Sequence, residues 1–134
     1  MKSWREKRDT DKVYQIKLIE KRFADIQPGS RMLIATPKII DNYIKNIAVG
    51  DHVDLSTLRN DLAEQFDADK TCPVTTGIYL RIVSEAAFEE FLQDCDVNAV
   101  TPFWRIVDVN SALAKKLACG LDFLREQQKR EGIL

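Results

Sequence analysis

The stretch TPFWRIVDV, residues 101–109, decides how the rest of the chain is read. Thr101-Pro102 interrupts any helix arriving from upstream. Ile106, Val107 and Val109 form a β-branched run that predicts a short buried strand. Phe103 and Trp104, just ahead of it, are harder to assign. Two large rings at a strand start ordinarily belong to the core. They also stand beside Arg105 at a place where chemistry could sit.

Working outward, the polar segment Asp94–Ala99 reads as a loop, and before it lies a long helix. Thr75 or Thr76 is its expected cap, and Ile78, Tyr79, Ile82, Val83, Ala86, Ala87 and Phe91 its apolar stripe. Asp67–Pro73 is polar, ends in proline and predicts a turn. The helix before that turn has Asp54 or Ser56 as cap and Leu58, Leu62, Ala63 and Phe66 on one face. Further upstream, Thr36-Pro37 is an N-cap followed by proline at the first helical position. Its helix carries Ile40, Tyr43, Ile44 and Ile47, with Gly50 as the stop. Met32–Ala35 is an extended entry segment. Val13, Ile16, Ile19 or Leu18, Phe23 and Ile26 fall near helical spacing, so residues 13–26 are expected to form a helix, closed by Gln27-Pro28-Gly29-Ser30. The first 12 residues form a charged arm, loose or pinned by Trp4. Downstream, Asp108–Ser111 is a turn, and Leu121–Arg130 a charged helix with Leu121 and Leu124 inward and Gly132 at its end.

Two helices joined by a short polar turn and followed by a small strand predict a helix-turn-helix with a wing. The expected architecture is therefore mainly α: a winged helix-turn-helix-like domain over residues 31–134, with a short β wing, preceded by a helical N-terminal extension over residues 1–30.

The totals narrow the function. The chain has 134 residues, 45% of them apolar, with 20 basic against 21 acidic side chains and a net charge of −1. That balance gives no global pull toward nucleic acid or an anionic membrane. No apolar run approaches the ~20 residues of a membrane span, and the N-terminus has no signal-peptide core. A cytoplasmic chain is expected. Cys72, Cys95 and Cys119 are odd in number and lack CxxC spacing, so neither a disulfide framework nor a zinc site is expected. The single histidine, His52, reads as a surface residue. No cofactor and no metal are expected.

The order of features over residues 32–132 resembles the DNA-binding domain of the alkylguanine-DNA alkyltransferases, the methylated-DNA–protein-cysteine methyltransferase family. Those proteins move an alkyl group from guanine to their own cysteine. KSWREK (Lys2–Lys7), CPVTTGI (Cys72–Ile78) and TPFWR (Thr101–Arg105) resemble most closely a bacterial branch of that superfamily. Pro102 and Arg105 match the family's active-site motif, Gly120 matches a loop glycine, and Glu131-Gly132 match its closing pair.

The resemblance then implies departures. Phe103 stands at the acceptor cysteine and Trp104 at the activating histidine. A phenyl ring is no nucleophile, and an indole N–H takes no proton from a thiol. Glu131 alone remains of the relay, so no catalytic residue is expected. Cys119, in the loop bordering the family's pocket, could substitute only if Lys115 or Lys116 lowered its pKa. The arginine that enters the duplex in the family falls at Cys72 or Pro73, so the base-flipping wedge is missing. The candidate duplex-DNA contacts are Arg59, Lys70, Arg81, Lys115 and Lys116, with Thr75 and Thr76 offering hydroxyl and backbone N–H to phosphate. The expected function is non-catalytic binding of alkylated or distorted duplex DNA, with a repair or other protein partner. The alternative is an interaction or structural domain that kept the fold and lost DNA.

Overall fold

Thr36 starts the first long element as its sequence requires. Its side chain accepts the Ile39 N–H at 3.2 Å, and Pro37 takes the first helical position, where its missing N–H costs nothing. This computed structural model describes residues 2–133. In chain order the elements are α1 (Trp4–Arg8), β1 (Gln15–Leu18), β2 (Arg31–Ile34), α2 (Pro37–Lys45), α3 (Leu55–Gln65), β3 (Lys70–Thr71), α4 (Pro73–Asp94), α5 (Ala112–Lys116) and α6 (Gly120–Arg130). The chain is mainly helical with a small three-stranded sheet. β2 is central, antiparallel to β1 (Gln15 opposite Ile34) and parallel to β3 (Leu33 opposite Thr71).

Local signals set most helix starts. Asp54, not Ser56, caps α3 by accepting the Thr57 N–H at 2.7 Å. Ser111 caps α5, and Ser3 and Glu6 form a reciprocal capping box on α1. The core lies between α2, α3, α4 and α6, with Ile40, Ile44, Leu58, Val83 and Leu124 fully buried. Phe103 and Trp104 are its two largest sealed side chains, each 1% exposed. Phe103 stacks on Phe123 of α6 at 6.1 Å, and Phe123 in turn meets Phe88 and Phe91 of α4 at 5.4 and 5.2 Å. The rings of the quoted stretch thus join α4 to α6. Among the described residues, no helix is long and apolar enough to cross a membrane.

Several expectations are corrected. Residues 13–26 are not a helix. Gln15–Leu18 pair with β2, and Phe23 and Ile26 bridge across a turn in which Ala24 has φ +53°. The apolar spacing there makes no single helical stripe: Val13 and Leu18 are 78% and 65% exposed, whereas Ile26 is fully buried beside Met32 and Cys72. Asp67–Pro73 contains β3 rather than turn alone, because Met32 and Leu33 offer it a parallel edge. The cap of α4 is Cys72, and Thr75 and Thr76 lie inside its first turns. α2 stops at Lys45 with Asn46 as its cap, ahead of Gly50.

The strand expected at 106–109 is also absent. Phe103–Arg105 make a 3-10 turn, and the N–H groups of Ile106 and Val107 both donate to the Phe103 carbonyl. The carbonyls of Trp104 and Val107 accept the Gln128 side-chain amide, each at 3.0 Å. With its backbone satisfied locally, by one glutamine and by the Val53 N–H on the Arg105 carbonyl at 2.8 Å, this segment joins no ladder. The sheet instead precedes α4, with β3 between α3 and α4.

Phe103→Ala should lower the unfolding free energy by about 3–5 kcal/mol, measured as a lower urea midpoint at unchanged slope. A loss under 1 kcal/mol would mean that the ring is not a core member.

Candidate functional site

Glu131 ends α6 as its C-cap, with its side chain 2% exposed. Three residues on two separate segments supply its donors. Trp104 Nε1 donates to Oε2 at 2.8 Å. Arg105 grips both oxygens, Nε on Oε1 at 2.9 Å and Nη2 on Oε2 at 3.0 Å. The Gly50 N–H reaches Oε1 at 3.3 Å. Arg105 also donates through Nη1 to the Ile47 carbonyl at 2.7 Å. Gly50 has φ +88°, and a Cβ there would lie 3.3 Å from the Glu131 carbonyl oxygen, so glycine fits both backbone and space. Burial pushes the Glu131 carboxyl up, but the bonds from Arg105, Trp104 and Gly50 outweigh it and hold the group below its ordinary value.

Chemically this is a saturated carboxylate. Its acceptor sites meet a guanidinium fork, an indole N–H and a backbone N–H, none of which is a base or nucleophile at neutral pH. Phe103, beside it, is sealed against Phe123. Thr101 at the head of the stretch donates to buried Asp41 of α2 at 2.6 Å, which fixes Pro102 and the rings relative to α2. A cleft of about 480 Å³ lies against the outer side of this unit, lined by Lys45, Val97, Pro102, Trp104, Arg105 and Arg130 among others. Phe103 does not reach it, and neither do Cys119 and Gly120, which sit at the start of α6.

Cys119 therefore borders a different place from the one expected. Burial and the nearby Glu85 carboxylate push its thiol up to about 11. The shift is opposite to the lowering by Lys115 or Lys116 that a reactive Cys119 would need. Glu85 is itself buried and accepts the Ala118 N–H at 3.1 Å. Cys72 is buried and Cys95 exposed. Among the described residues, no group of three or more His, Cys, Asp or Glu side chains is placed to hold a metal.

The expected DNA contacts divide into two sets. Arg59 is spent on the fold: it donates to the Thr71 carbonyl at 3.0 Å and grips Asp25 at 3.0 and 2.8 Å. Thr76 is buried and donates to the Cys72 carbonyl at 2.6 Å, so it meets no phosphate. The Thr75 hydroxyl is buried without a partner. Lys70, Lys115 and Lys116 are exposed. Arg81 and Lys116 share a groove of about 460 Å³ with Lys7, Trp4, Ile78 and Leu113. Sequence reading assigned no role to this groove. Only the packing of α1 on α4 creates it, and Trp4 as a pin was its one visible signal.

Glu131→Gln should cost about 3–5 kcal/mol, because it leaves Arg105 buried without its counter-charge. The folded-state pKa is depressed, so this stability is present above the unfolded carboxyl value and is lost as pH falls through the folded one. An acid unfolding series should therefore show a steeper loss below about pH 4.5 in the parent than in the variant, and equal slopes would contradict the clamp.

With a pKa of about 11, Cys119 carries only about one thiolate in ten thousand at pH 7. Iodoacetamide followed by peptide mass mapping should label exposed Cys95 first, with Cys119 catching up only at alkaline pH. Preferential Cys119 labelling at neutral pH would contradict this.

No family profile, curated protein or solved structure matches the chain.

Proposed function

We propose that this chain is a non-catalytic, alkyltransferase-like DNA-binding domain. Its helix-turn-helix pair is α3 and α4, and the sheet stands before and between them in place of a following wing. One contrast carries the reading. The place where a reactive thiol and its base would sit is sealed by Phe103, Trp104, Arg105 and Glu131, while the first turns of α4 stay uncovered, with Val74 and Ile78 54% and 53% exposed. The partner is duplex DNA, alkylated or distorted, held at its phosphates by Lys70, Arg81, Lys115 and Lys116. With Cys72-Pro73 at the head of α4 there is no side-chain wedge to drive a base out. A lesion that already distorts the duplex is the better substrate, presented afterwards to a repair partner. A cytoplasmic setting suits three free thiols.

The second reading, an interaction domain that lost DNA, draws support from Arg59 and Thr76, both spent inside the fold, and from the net charge of −1.

Fluorescence anisotropy with duplexes carrying O6-methylguanine or plain guanine, each at two salt concentrations, separates the two. Four phosphate contacts give a log–log salt slope of about −3.6, at about 0.9 per contact. The double variant Lys115→Glu/Lys116→Glu should bind about tenfold more weakly, and intact mass should not change. No binding at low salt would leave the interaction domain.

A further inference from the structure

We infer that the groove between α1, α4 and α5 takes an unpaired nucleotide, its base against the apolar wall and its phosphate among the surrounding cations. This rests on the DNA-binding reading and names the feature of a distorted duplex that the domain would hold. The site is separate from the Trp104–Glu131 unit, and none of its lining residues belongs to that unit.

The lining has two components. Trp4, Ile78, Ile82 and Leu113 supply apolar surface from three helices, and Lys7, Arg81 and Lys116 supply three positive charges. No acidic side chain lines the groove. Lys7 Nζ stands 4.4 Å from the Trp4 ring centre, and the Arg81 guanidinium carbon 5.3 Å from it. Arg81 Nε is buried without a hydrogen-bond partner, and its nearest counter-charge, Glu85, lies 3.7 Å away. Lys7 and Lys116 form no ion pair among the described residues. Positive charge is therefore gathered around an apolar slot and left under-compensated.

An occupant must be anionic and must carry a face that needs no hydrogen bonds. Apart from its charged groups and the Trp4 indole, the lining offers no polar side chain: no carboxamide, carboxylate or hydroxyl that could read a base edge. A base and its phosphate meet both demands, and stacking surfaces of this kind tolerate any base. Gly77 adds to the fit. A Cβ built there meets nothing within 4 Å, so the α4 surface is bare at that point and a flat ring can approach the helix. The volume, about 460 Å³, suits one planar group with its phosphate rather than several turns of a docking helix.

The experiment follows Trp fluorescence, since Trp104 is 1% exposed and a change on binding reports Trp4. The probes are a fully paired duplex, the same duplex with one bulged thymidine, the single strand dT10, the mononucleotide dTMP, inorganic polyphosphate and an acidic amphipathic peptide. Gly77→Leu fills the floor at a point where a Cβ meets nothing within 4 Å, Lys116→Glu reverses one cation, and exposed Lys129→Glu on α6 is the control. The bulged duplex and dT10 should quench Trp4 and bind at least tenfold more tightly than the paired duplex. Gly77→Leu and Lys116→Glu should each remove at least tenfold of that, and Lys129→Glu less than twofold. dTMP should bind more weakly than dT10, and equal binding would assign the groove to a free nucleotide instead. Binding of all duplexes with Trp4 silent and Gly77→Leu neutral would overturn this site while leaving the DNA-binding reading intact. Polyphosphate as tight as dT10 would reduce the groove to a charge cluster and overturn it. Tighter peptide than oligonucleotide binding would overturn it in favour of a protein partner. No nucleic-acid binding at all would remove both readings.

Discussion

The fold depends on one buried carboxylate. Glu131 sits at the very end of α6, yet it is held by Trp104, Arg105 and the backbone of Gly50, so two distant segments converge on its two oxygen atoms. A carboxylate this sealed is tolerable only because donors replace its lost water, and the Arg105 fork supplies the counter-charge as well. Arg105 extends the tie to the Ile47 carbonyl and so anchors the segment after α2. Gln128, one turn earlier on α6, fastens the same stretch from its other side through the carbonyls of Trp104 and Val107. The irregular segment 101–109 is thus rigid without belonging to any sheet.

The aromatic rings do for packing what Glu131 does for polarity. Phe103 and Trp104 face Phe123, which meets Phe88 and Phe91, so α4 and α6 share one continuous ring cluster around the 3-10 turn. Such rings bury large areas, and their edge and stacked contacts add to the area term. This arrangement fills the segment with bulk and saturated hydrogen bonds.

α4 is organised by its neighbours. Its core side carries Leu80, Val83 and Ala87, while its outer side is crossed by α1, whose Arg8 pairs with Glu90 and whose Arg5 bonds Glu89 and Gln93. None of the α1 residues is fully buried, and it is held largely by charged contacts and by Trp4. The N-terminal extension therefore does more than precede the domain. It adds β1 to the sheet and supplies Trp4 and Lys7 to the groove on α4.

The sequence by itself determined the helix starts and the stops written in local chemistry. Thr36-Pro37, Asp54 and the Gly132 terminus act through bonds spanning three or four residues, so their outcome needs no distant partner. It also marked Phe103 and Trp104 as bulk without reactivity, because side-chain chemistry does not depend on fold. Tertiary structure alone decided the rest. Residues 13–26 had helical spacing but made an edge strand over Gln15–Leu18, where β2 offered a free ladder, and then a turn bridged by Phe23 and Ile26. Residues 106–109 had strand composition but made no strand, because Gln128 and the Phe103 carbonyl satisfied their backbone first. Arg59 and Arg81 are both arginines on helices, yet Asp25 grips one in a close fork while the other stands 3.7 Å from Glu85 and beside Trp4. Which polar group finds a partner depends on residues far away in sequence, and neither periodicity nor composition records that distance.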